Sequence, residues 1–143
     1  MAQGRLMSRL AAAALAAATA AMPAAGAELT VDVAGLRSDE GLVRVAVCPR
    51  ESFTSPSCPH VGVAPASRGR AVVEGLPPGV YAVQAFHDED GDGTLDRRGF
   101  LPSEGLGFSR DAPMRMGPPR FNDAAVRIEK DGRITVTMRY YGQ

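Results

Sequence analysis

Tryptophan is absent from this chain of 143 residues, and only 6% of it is aromatic. A core must therefore rest on Val, Leu, Ile, Phe and Ala. An excess of either charge is missing as well, since 16 Lys plus Arg balance 16 Asp plus Glu. The balance leaves no basic footprint for nucleic acid and no polybasic patch for an anionic lipid surface. Histidine and cysteine number two each. Cys48, Cys58 and His60 make an incomplete zinc set, with no fourth ligand apparent. The nucleophile elbow G-x-S-x-G, the zincin pattern H-E-x-x-H and the phosphate loop do not occur.

Long apolar runs are missing apart from Leu10 to Ala21, which is alanine-rich and too short to span a bilayer. Arg5 and Arg9 precede it, and Ala25-Gly26-Ala27 follows with the A-x-A cleavage pattern. Residues 1–27 read as a signal peptide, and residues 28–143 as a single domain in the periplasm or outside the cell. Cleavage after residue 27 of 143 leaves 116 residues. Two arginines and no acid are lost from a balanced chain, so the net charge becomes −2. No cysteine lies beside the cleavage site, so a lipoprotein is not expected; a permanent membrane anchor is the minor alternative to cleavage. An oxidising compartment favours a disulfide between Cys48 and Cys58, worth roughly 3 kcal/mol by the chain-entropy argument.

What remains reads as strands. Leu29 to Val33, Leu42 to Val47, Arg70 to Glu74, Val80 to His87, Ala124 to Ile128 and Ile134 to Tyr140 are short apolar or alternating runs with turn residues between them. Lys130-Asp131-Gly132 reads as a hairpin turn, and Pro49 to Ser67 as a loop pinned by the disulfide. The expected fold is all-β, a small antiparallel β-sandwich of about six or seven strands. After Asp96 about 25 residues lack periodicity, longer than an ordinary connection. Phe100, Leu101, Leu106, Phe108, Met114, Met116 and Phe121 within it predict that it packs down rather than floats.

The chemistry is concentrated in His87-Asp88-Glu89-Asp90-Gly91-Asp92-Gly93-Thr94-Leu95-Asp96. Asp88, Asp90 and Asp92 alternate, and Gly93 follows where the motif D-x-[DN]-x-[DN]-G turns sharply. Alternate carboxylates converge on one centre, which suits calcium, a hard cation that takes six to eight oxygens. Thr94 offers a backbone carbonyl, Asp96 a further carboxylate, and Leu95 an apolar anchor. The helical calcium loop ends on a bidentate Glu at its twelfth position; Gly99 stands there, and Glu104 is the residue expected to fold back in its place. The expected ligands are thus Asp88, Asp90, Asp92, Thr94, Asp96 and Glu104, with Arg97 and Arg98 offsetting part of the charge. No helix is expected on either side.

Gly75-Leu76-Pro77-Pro78-Gly79-Val80-Tyr81-Ala82-Val83 resembles a hairpin of transthyretin-like and carboxypeptidase-regulatory-like sandwiches, so the expected sandwich is transthyretin-like or immunoglobulin-like. The run from Phe86 to Asp96, with Gly99 to Ser109 and Pro118 to Ala124, is similar to domain of unknown function 2141, a family of exported bacterial proteins. The resemblance spans Leu29 to Tyr140. It implies an extracytoplasmic β-sandwich and no particular reaction, substrate or partner.

Three function classes compete. The first is a monomeric binding or structural module whose calcium loop shapes a surface for an envelope protein, a peptide or a glycan. The second is a hydrolase built on His87 with His60, Ser103, Glu104 and Ser109; it needs a nucleophile and a base within hydrogen-bond reach. The third is an accessory subunit of an envelope complex.

Overall fold

A computed structural model describes residues 12–20 and 26–141. Most of the expected signal peptide lies outside the described residues. Of it, residues 12–20 carry no regular secondary structure, and Ala27 opens the first strand. Among the described residues no helix is long and apolar enough to cross a membrane.

The strands are β1 (Ala27–Ala34), β2 (Leu42–Cys48), β3 (His60–Pro65), β4 (Arg70–Leu76), β5 (Gly79–Asp88), β6 (Arg97–Arg98), β7 (Leu101–Pro102), β8 (Leu106–Phe108), β9 (Ala125–Ile128) and β10 (Gly132–Thr137). One sheet runs β10-β1-β4, and the other β3-β2-β5. The far edge of β5 is shared: β9 pairs with Gly79 to Ala82, and β8 with Gln84 to Phe86. β6 and β7 form a separate ribbon. A single helical turn, α1 (Phe121–Ala124), precedes β9.

Period-two alternation explains the two faces. Leu29, Val31 and Val33 of β1 meet Val43, Val45 and Val47 of β2 and Val83 of β5 in the space between the sheets, all buried. Each such side chain contributes about 1.5–3 kcal/mol relative to leaving it in water. Tyr81 also points inward and donates its hydroxyl to the Pro77 carbonyl at 2.5 Å, four residues upstream, where the chain passes from one sheet to the other. This is the geometry of a tyrosine corner in a sandwich. At Gly107 of β8 the two sheets come so close that a Cβ would lie 2.4 Å from the Thr137 carbonyl oxygen.

Four features differ from the expectation. Lys130-Asp131-Gly132 is not a hairpin: β9 pairs with β5 and β10 with β1, so the turn carries the chain between sheets. The β1–β10 pair is parallel, alone among the strand pairings of the described residues. Pro49 to Ser67 is not all loop, because β3 lies within it. Its bulky Val61 and Val63 face solvent while Gly62 and Ala64 face inward, which inverts the usual signal.

The long segment after Asp96 packs down only in part. Leu106, Phe108, Met114 and Phe121 join Phe53, Phe86 and Leu95 in a second apolar cluster on the outer face of the larger sheet. Phe100 is 97% exposed and Leu101 49%, and Met116 is fully exposed. They stand at the margin of that cluster, and none of the described residues covers them.

Candidate metal centre

β5 runs from the sheet interior straight into the acidic loop and ends on Asp88, which is completely buried. Asp88 shares the outward parity of Gln84 and Phe86. Its Oδ2 accepts two hydrogen bonds, from Arg44 Nε at 2.6 Å and from the Gly93 amide at 3.0 Å. Its Oδ1 is buried and has no hydrogen-bond partner among the described residues. A buried carboxylate oxygen without a donor is costly, and a cation held there would supply the missing countercharge.

The other expected carboxylates gather there. One oxygen each from Asp88, Asp90 and Glu104 lie within 4.8 Å of one another, and so do one each from Asp90, Asp92 and Asp96. Asp90 belongs to both groups and links all five acids. Short Asx-type bonds hold the loop in shape: Asp92 N donates to Asp90 Oδ1 at 3.2 Å, and Thr94 N to Asp92 Oδ1 at 2.8 Å. Gly93 turns the chain at φ +81°, a left-handed conformation that side chains disfavour. Thr94 thus sits inside the loop with its amide committed to Asp92. Leu95 packs into the outer apolar cluster and ties the loop to the sheet.

Glu104 folds back as expected and is 5% exposed. Its Oε1 accepts the Glu89 amide at 3.1 Å and its Oε2 the Asp96 amide at 3.2 Å, so one carboxylate closes both ends of the loop. Burial pushes the Glu104 carboxyl up, the two amides oppose this, and the charges of Asp96 and Asp90 push it higher. At Asp88 burial again opposes ionisation, but Arg44, the Gly93 amide and Asp90 together hold its carboxyl below the ordinary value. The loop's own geometry therefore favours ionised Asp88 and penalises a charged Glu104 beside it. A divalent cation would relieve that conflict.

The compensating arginines are not the expected ones. Arg97 and Arg98 have no ion-pair partner among the described residues. Arg44 of β2 takes that role at Asp88, and Arg37 pairs with Glu89 at 2.5 Å, away from the cluster. The available signal was a lone arginine in the apolar run Leu42-Val43-Arg44-Val45-Ala46-Val47. Arg44 pairs with Phe86 across the strands, two residues from Asp88 on the same face.

His87 is completely buried beside the loop with both ring nitrogens engaged. Nε2 donates to the Glu40 carbonyl at 2.7 Å, because a carbonyl can only accept. Nδ1 then accepts from the Tyr140 hydroxyl at 2.9 Å, and that hydroxyl accepts the Arg37 amide at 3.0 Å. Ser109 is equally committed: its hydroxyl accepts the Val83 amide at 3.0 Å and donates to the Ala124 carbonyl. His60 stacks edge-on against Tyr81. Cys48 and Cys58 are joined as a disulfide with Cα atoms 5.2 Å apart.

The sequence from residue 31 to residue 137 matches a family model described as "Uncharacterized protein conserved in bacteria (DUF2141)". No curated protein and no solved structure matches the chain significantly.

Proposed function

Because the chain belongs to the DUF2141 family of bacterial proteins, whose description assigns no activity, we propose a function from the loop itself: an exported β-sandwich binding or structural module that holds calcium at Asp88, Asp90, Asp92, Asp96 and Glu104. The observation that carries this reading is the buried, unpartnered Oδ1 of Asp88 beside Asp90 and Glu104. Loop-held carboxylates at adjustable distances suit calcium, which accepts varied geometry, better than magnesium, which demands a near-ideal octahedron. The ion would supply countercharge and tie the segment 89–104 to the end of β5. Arg44 already offsets one of the five negative charges through Asp88 Oδ2, which leaves Oδ1 for the ion. Export is supported by the leader pattern ending at Ala27 and by the disulfide. The surface so shaped would face an envelope protein, a peptide or a glycan, whether the chain acts alone or as a subunit of a larger complex.

Calorimetry on the processed protein tests the reading. Calcium should bind with a stoichiometry of one or two. A hundredfold excess over the dissociation constant should raise the melting temperature by on the order of 10 °C. Asp90→Ala, at an exposed position shared by both carboxylate groups, should abolish the heat and the thermal shift while leaving the calcium-free protein folded. Absence of heat at millimolar calcium, together with identical melting in calcium and in chelator, would overturn it.

A further inference from the structure

An open groove of about 1050 Å³ lies on the outer face of the larger sheet. Its floor is Phe86 of β5 with Leu106 and Phe108 of β8. Phe100, Leu101 and Met116 line it too, the same side chains that the described residues leave exposed. The volume lies at the upper end of what small-molecule sites use, about 300–1,000 Å³. Lone exposed apolar residues are ordinary on a protein surface, but here they converge on one concavity.

The charge in this groove is of one sign. Among the described residues Arg97 is the one charged group that lines it, and Arg97 has no ion-pair partner there. Thr94 and Gln84 add neutral hydrogen-bonding groups. An apolar trough with a single unpaired cation complements a molecule with a long apolar body and a single negative head. We propose that the groove binds a single-chain anionic amphiphile of the long-chain carboxylate class, with its chain along Phe86 and Phe108 and its head at Arg97. A bilayer is a different partner, since the surface carries one cation here rather than the cluster that a membrane surface selects.

The test is fluorescence titration with cis-parinarate in chelator-containing buffer, so that the outcome is independent of the calcium reading. The probe should bind saturably, one per chain, and palmitate should displace it while hexadecyltrimethylammonium should not. Arg97→Glu should weaken binding about tenfold, because an exposed attraction becomes a repulsion of similar size. Phe100→Ser, at a position 97% exposed and so neutral for folding, should weaken it several-fold with an unchanged far-ultraviolet spectrum. The proposal is overturned by an absence of saturable binding, by displacement by the cationic amphiphile as good as by palmitate, or by an affinity indifferent to Arg97→Glu. It is also overturned if light scattering finds a dimer that Phe100→Ser dissociates and parinarate does not bind. A second copy would then be what covers the face.

Discussion

Asp32 lies on the outer face of β1 between two arginines on neighbouring strands, Arg70 of β4 and Arg133 of β10. The hydrogen bonds from Arg133 and then Arg70 hold its carboxyl at about 2, against an ordinary 3.8. A carboxyl lowered by folding stabilises the native state above its unfolded value and stops doing so as pH falls through its folded value. Asp32→Asn should therefore lower the melting temperature at neutral pH, and its difference from the wild type should fade between pH 3.8 and about 2. Melting both proteins across that range checks it; salt should shrink the difference too, because the cluster is exposed. Arg44 presents the buried counterpart. Arg44→Met strips the cation from a fully buried Asp88, and such losses cost about 3 kcal/mol. In urea titrations calcium should restore part of that loss, since the ion takes over the vacated role. The loop's own aspartates were legible in the sequence because alternating Asp with Gly is a local pattern, and Glu104 only as the next carboxylate along the chain once the twelfth position proved to be Gly99. Arg44 was not, because the lone arginine of an apolar run names no partner until the register of β2 on β5 sets it two residues from Asp88 on the same face.

At the level of elements, β5 was the clearest to read. Tyr81, Val83 and Ala85 face the inner core, and Ala82 and Phe86 the outer cluster, as strict alternation requires. β3 was hidden because its inward residues are small and its outward ones bulky, so composition and turn residues spoke louder than period. β8 was hidden by its length of three residues; only pairing with β5 makes it a strand. Its tight approach to β10 gives a sharp expectation. Gly107→Ala must displace the Thr137 carbonyl or Val136, and should lower the urea midpoint by the equivalent of about 1–3 kcal/mol with no change in slope. The disulfide acts on a whole loop. It fixes the turn that carries Phe53, whose ring meets Phe108 and Phe121 edge-on. Replacing Cys48 and Cys58 together by Ala should cost roughly 3 kcal/mol. Loosening of Phe53 should accompany it, visible as line broadening of the Phe108 and Phe121 ring signals.

The whole molecule divides its labour between two faces of one sheet. The inner face, against β10-β1-β4, supplies stability; the outer face carries the second cluster, the groove and the acidic loop. Amide exchange should reveal the division. Calcium should slow exchange in residues 89–104 and leave the amides of β1 unchanged, because local opening of a loop and global unfolding are separate events. Equal protection of both regions would mean that the ion acts on the entire fold. The absence of tryptophan is useful here, since Phe100→Trp would place a single reporter at the groove with no background emission.

Thr94 and Leu95 belong both to the acidic loop and to the end of the groove. Two ligands that meet on the same pair of residues share the entropic cost of ordering them, and such coupling is reciprocal. A sandwich built this way would grip its greasy cargo more tightly where divalent ions are plentiful and still hold it, more loosely, where they run low.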